Sequence, residues 1–132
     1  MTAAFDTFFS EITTVMGSDA VNRSEETLRR YGENTMPGGD RQPAGVVYPA
    51  STADVQRVVR SANAHGVPLY PISTGNNIGL GSRSALRAGQ VVVDLGYRMN
   101  RILEVNERLQ GACVRSVRHH RRYTPALCPT RV

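Results

Sequence analysis

Ser73, Thr74, Gly75, Asn76, Asn77, Ile78, Gly79, Leu80, Gly81 and Ser82 form the stretch of this chain whose residue types and spacing best suit chemistry. Three glycines, two asparagines and three hydroxyl residues follow directly on the apolar run Leu69-Tyr70-Pro71-Ile72. Glycine has no Cβ and tolerates positive φ, so such a turn lets backbone approach a ligand closely. Successive backbone N–H groups in a turn of this kind form an anion-binding concavity, to which hydroxyls and amides add donors. A pyrophosphate is the natural occupant. The spacing Gly75-x-x-x-Gly79-x-Gly81 is neither G-x-G-x-x-G nor a loop followed by Gly-Lys-Ser/Thr, so the two common nucleotide-loop patterns do not apply. On these residues alone, a glycine-rich surface loop between strands is the competing assignment.

Other chemically capable residues are scattered. Cys113, Cys128, His119 and His120 cluster late in the chain, but neither C-x-x-C nor H-x(3–5)-H spacing is present, so no metal site is expected. His65 closes a helical pattern, where a histidine serves the negative end of the dipole. No residue stands out as a general base or nucleophile, and none is assigned as catalytic.

The elements that must position the loop can be read on either side of it. Phe5, Phe8, Phe9, Ile12, Val15 and Met16 recur at helical steps and predict an amphipathic helix stopped near Gly17. Ser24-Glu25-Glu26 opens a second helix with a capping hydroxyl and acids in its first turn, and Gly32 is placed to end it. Thr35 to Pro43, with Pro37-Gly38-Gly39-Asp40, reads as a loop separating a helical lead (1–43) from the domain proper (44–111). Strands are predicted near 45–48, 69–72, 91–95 and 102–106, and a helix near 52–64. Ser51 caps that helix with Asp54 answering from the third position, and His65-Gly66 stops it. Residues 49–68 are long enough for the helical crossover of a parallel strand pair, so a right-handed βαβ unit in an α/β (α+β) fold is expected. The glycine stretch then falls at the carboxyl end of a strand, where open α/β sheets place ligands.

At 132 residues the chain suits one modest domain. Its net charge of +5 is unevenly placed. All acidic residues lie at or before Glu107, and residues 1–111 are formally neutral, so the excess comes from Arg115, Arg118, Arg121, Arg122 and Arg131. This acid-free end, 112–132, shows neither helical nor strand periodicity and reads as a disordered or out-of-frame tail. A small α/β binding module with a basic nucleic-acid arm is the alternative, but a neutral body offers no basic face to continue such an arm, and no nucleic-acid partner is expected. No apolar run reaches transmembrane length and the amino terminus lacks the character of a targeting peptide, so a cytoplasmic protein with no membrane partner is expected.

Three blocks, taken together, resemble a known family. Pro49-x-Ser51-x-x-Asp54-Val55-Gln56-x-Val58-Val59-x-x-Ala62-Asn63 is similar to the first strand exit and helix of the vanillyl-alcohol oxidase and p-cresol methylhydroxylase (PCMH) flavoproteins. Pro71-Ile72-Ser73-Thr74-Gly75-x-Asn77-x-Gly79-x-Gly81 resembles their pyrophosphate loop, and Val92-Val93-Asp94-Leu95 with Met99-Asn100-Arg101-Ile102-Leu103-Glu104-Val105-Asn106 resembles the strand pair after it. The resemblance implies part of a PCMH-type FAD-binding domain, with FAD as cofactor and its diphosphate held by the Ser73–Gly81 backbone, helped by the Asn77 and Ser82 side chains. It implies an amino-terminal fragment of an FAD-dependent oxidoreductase, inactive alone, whose parent passes a hydride from a small aromatic or alcohol substrate to the flavin. Asn76 stands where the phenol-oxidising branch has a basic residue, and Leu80 where it has a substrate-binding tyrosine. Apolar surface left exposed by such a fragment implies self-association.

Overall fold

Valine-rich segments build the centre of the molecule. In the computed structural model, which describes residues 2–33, 39, 41–73, 75, 83–106, 108–109 and 111–114, Gly45–Val47 (β2) and Val91–Asp94 (β4) pair in parallel, with Val46 opposite Val92 and Val47 opposite Val93. Both strands are buried on both faces, which explains their continuous apolar runs. Leu69–Ile72 (β3) lies parallel on the other side of β4, and Val21–Asn22 (β1) is antiparallel to β2, in the order β1-β2-β4-β3. Pro71 has no N–H to give a ladder and sits in β3 because that strand is at the sheet edge.

The predicted crossover helix is present as Thr52–His65 (α3), but the strands it joins are not neighbours. β4 lies between β2 and β3, because its uninterrupted Val91-Val92-Val93 run is best buried at the centre. The Ser51 hydroxyl accepts from the Asp54 N–H at 3.1 Å, and Asp54 Oδ2 accepts from the Ala50 N–H at 3.1 Å. Gly66, at φ 64°, closes the helix in the left-handed region that glycine enters most readily.

Two layers of side chains flank the sheet. On one face Phe8, Phe9 and Ile12 of Thr2–Met16 (α1) pack with Val58 and Ala62 of α3 over Val47, Val91 and Val93. On the other, Tyr31 of Glu25–Gly32 (α2) packs with Val46, Tyr48, Ile72, Ala85 and Val92. The lead expected to stand apart thus contributes α1 to the same core as the crossover helix. Gly45 is required there: a Cβ on it would lie 2.7 Å from Phe9 Cε1. His65 does more than serve its own helix end. Its Nε2 lies 3.0 Å from Glu11 Oε1, the Ser61 hydroxyl donates to Glu11 Oε2 at 2.6 Å, and α1 is thereby fastened to α3.

The strand predicted near 91–95 ends at Asp94, whose carboxylate caps the short helix Leu95–Arg98 (α4). Ile102–Asn106 (β5), the last of the predicted strands, stands outside the main sheet. It pairs antiparallel with Gly111–Val114 (β6) in a second, two-stranded sheet, with a register irregularity between Ile102 and Glu104. β6 runs past Ala112, where the aberrant tail was expected to begin. The arginine-rich remainder, 115–132, lies outside the described residues, as does most of the loop at 34–40.

Candidate functional site

Three parallel strands release their chains at one edge of the sheet. Tyr48 follows β2, Ser73 follows β3, and Asp94 ends β4. Of the loop residues singled out from sequence, Ser73 and Gly75 are described; Thr74, Asn76, Asn77, Ile78, Gly79, Leu80, Gly81 and Ser82 lie outside the described residues. The Ser73 carbonyl accepts from the Gly96 N–H at 3.1 Å, tying the start of the loop to α4. Gly75 has φ 68°, a conformation that costs any other L-residue strain. The Arg83 side chain crosses directly over it, with Nε 2.8 Å from where a Cβ would lie. Glycine is therefore needed at position 75 twice over, for its backbone angle and for the arginine that covers it.

Beside this turn is a cavity of about 800 Å³. Tyr31 and Tyr48 from the second core layer form part of its wall, with Asp94 between strand and helix. Asp94 is only 6% exposed, and its charge is met locally. The Tyr31 hydroxyl donates to Oδ2 at 2.7 Å and the Tyr97 N–H donates to Oδ1 at 3.0 Å. Burial, then the Asp94 hydrogen bond and charge, push the Tyr31 hydroxyl far above the usual tyrosine range. Burial also raises Tyr48, whose ring lies 4.6 Å from that of Tyr97.

Three arginines, Arg30, Arg83 and Arg98, line the same cavity. Arg98 Nη1 reaches the Tyr48 carbonyl at 3.5 Å. Among the described residues, none of the three is ion-paired with a carboxylate. A cleft wall carrying cations with no carboxylate partner among the described residues concentrates anions, and a glycine turn stripped of Cβ bulk admits a phosphate to backbone. The described residues thus fit the diphosphate of FAD.

Sequence reasoning located the turn but not its surroundings. Arg30 reads in sequence as a last-turn cation of a helix, and no motif singles out Arg83 or Arg98. The one sequence signal was Asp94, a carboxylate closing an otherwise apolar central strand. Among the described residues, no group of three His, Cys, Asp or Glu side chains is gathered as a metal site, and no helix is long and apolar enough to cross a membrane.

The sequence profile of the family described as FAD binding domain matches residues 43–116. The chain is 44% identical over 95 residues to the 1'-carboxy-chondrochloren decarboxylase of Chondromyces crocatus, covering 72% of this chain and 17% of that protein. It is 33% identical over 102 residues to the 4-cresol dehydrogenase [hydroxylating] flavoprotein subunit of Pseudomonas putida, covering 76% of this chain and 19% of that one. The 4-ethylphenol oxidase of Gulosibacter chungangensis superposes with a TM-score of 0.79 at 39% identity, over 86% of this chain and 22% of that structure. The chain therefore spans about a fifth of the length of these relatives. With the profile, the identities and the superposition in agreement, the chain belongs to the FAD-binding domain family of PCMH-type flavoproteins.

Proposed function

We propose that this chain supplies the diphosphate-binding portion of an FAD-dependent oxidoreductase acting on small aromatic or alcohol substrates, as the amino-terminal portion of that enzyme. The observation that carries the proposal is the turn at Gly75, held in the left-handed region at the carboxyl edge of a parallel sheet and opening beside a cation-walled cavity. The names of two relatives, a cresol dehydrogenase and an ethylphenol oxidase, support the substrate class. When bound, FAD supplies the redox chemistry, taking a hydride from a benzylic or alcohol carbon.

The chain's own residues bind and orient. Backbone N–H groups between Ser73 and Gly81 contact the diphosphate, with Asn77 and Ser82 as side-chain donors. The Ser73–Gly96 bond holds the start of that turn in register with the end of β4. The Tyr31 hydroxyl and the Tyr97 N–H donate to the two oxygens of Asp94, so that this buried carboxylate is satisfied within the fold. The purified chain is expected to quench the fluorescence of added FAD and to melt higher in its presence. A ligand at a hundred times its Kd adds about 2.7 kcal/mol of stability. A chain whose melting temperature is unmoved by FAD, and which leaves flavin fluorescence unchanged, refutes the assignment.

A further inference from the structure

Arg30, Arg83 and Arg98 belong to separate parts of the chain: the last turn of α2, the segment after the glycine loop, and the end of α4. Folding brings all three to one cavity at the carboxyl edge of the sheet. Like charges gathered from distant segments repel; Arg30 and Arg98 suit the last turns of their helices, but a helix end does not by itself call for a third cation at the same cavity. Two carboxylates also line the cavity, Asp19 and Asp94. Asp94 is answered by the Tyr31 hydroxyl and the Tyr97 amide, and among the described residues neither acid is paired with an arginine. The cavity therefore keeps a surplus of positive charge directed at whatever enters it.

Arg83 is the link between cavity and loop. It is half-buried, so its charge is less screened than that of the exposed Arg30 and Arg98. Its side chain lies across Gly75, in space that any other residue at 75 would occupy. A guanidinium presents a planar fork of donors matched to phosphoryl oxygens. Arg83 thus brings side-chain donors to an anion beside Gly75 from the cavity wall.

We propose that Arg83, seconded by Arg30 and Arg98, clamps the phosphoryl oxygens of the cofactor's diphosphate and supplies most of the charge neutralisation at this site. The inference rests on the assignment of FAD to the Gly75 turn, and it adds a side-chain site to the backbone contacts of that turn. It explains how an uncharged loop binds a polyanion: the cation stands just past the loop, at position 83, and folds back over the first glycine.

The test uses the full chain and three probes: FAD, riboflavin, which lacks phosphate, and inorganic pyrophosphate. Dissociation constants are measured by titration calorimetry over a range of salt, with folding checked by thermal melts. Arg83→Gln is expected to weaken FAD and pyrophosphate about tenfold and to lower the slope of log Kd against log salt by about one, leaving riboflavin unchanged. Arg83→Lys should recover part of the loss. Arg30→Gln, on an exposed helical surface and so harmless to folding, should weaken both phosphate probes about threefold. Arg60→Gln on α3, away from the cavity, should change nothing. Equal affinity of wild type and Arg83→Gln for both phosphate probes overturns the clamp while leaving FAD binding intact. Arginine-dependent pyrophosphate binding by a chain that ignores FAD supports the clamp and overturns the cofactor assignment. A wild-type chain that binds neither probe overturns both.

Discussion

Replacing Tyr31 by phenylalanine removes one oxygen from the wall of the cavity and leaves the ring. The hydroxyl it removes is the donor to Asp94 Oδ2 at 2.7 Å, on a carboxylate only 6% exposed. A hydrogen bond to a charged group contributes about 1.5–3 kcal/mol, and the variant leaves Oδ2 without that donor. Two features limit the loss: Oδ1 keeps the Tyr97 N–H, and phenylalanine keeps the packing on Val46 and Val92. A net cost of about 2 kcal/mol follows, or about 8 °C in melting temperature for a domain of this size. Far-UV circular dichroism reads the melt, and a urea titration should show a lower midpoint with an unchanged slope. The pH dependence adds a second check. The fold raises the Tyr31 pKa above its unfolded value of about 10, so its contribution is fully present below pH ~10 and is lost as pH climbs towards the folded value. The gap between wild type and Tyr31→Phe should therefore narrow at strongly alkaline pH. A variant melting within about 1 °C of wild type at neutral pH refutes the role given to this bond.

Two further substitutions test the framework that holds the site. Gly45→Ala drives a methyl group into the Phe9 ring, itself stacked edge-on with Phe8 and covered by the Arg23 guanidinium, and should cost about 1–3 kcal/mol in urea titration. A second change, Phe9→Leu, should return part of that stability, and no return refutes the clash. Asp54→Ala removes the acceptor for the Ala50 N–H and the partner of Arg57, and should cost about 1 kcal/mol. Burial works against the Asp54 carboxylate, but Ser51, the Ala50 amide and Arg57 outweigh it and hold its pKa below the usual range. That contribution is present above the unfolded carboxylate value of about 4 and is lost as pH falls through the folded value. Thermal melts below pH ~5 should accordingly show a shallower acid-side fall in Asp54→Ala than in wild type.

Local signals in the sequence located most elements well. Ser51, Asp54 and Gly66 act within a few residues of themselves, and α3 runs between them much as their chemistry requires. The valine runs read as buried strands because β-branched residues have few other uses in such density. Strand order was not legible. Whether β3 or β4 lies beside β2 depends on which strand buries both faces and both edges, a competition among segments that spacing along the chain does not record. β1 was missed for a related reason: Val21 and Asn22 have no strand pattern of their own, and their pairing exists because β2 presents an open edge. The hairpin of β5 and β6 was half seen. Ile102–Asn106 alternates as a strand should, while the unusual composition after Ala112 masked its partner.

The candidate site divides along the same line between local and convergent information. A glycine-rich turn after a strand is a local statement, and Gly75 carries it in full through its own backbone angle. A charged cavity wall is convergent. Arg30 lies within a helical last turn where an arginine is already accounted for by the dipole, so sequence alone offers no reason to ask what else it faces. Arg83 follows a loop whose pattern contains no cation, and only the fold shows its side chain lying back across Gly75. Asp94 was the one residue whose sequence position posed the question, since a carboxylate ending an apolar central strand must find donors or destabilise the sheet. Its donors are a hydroxyl from α2 and an amide from α4, the same two elements that carry Arg30 and Arg98. The contacts that satisfy Asp94 therefore tie down the same two elements that bring two of the arginines to the cavity, and disturbing Tyr31 should loosen the cation wall as well as the fold.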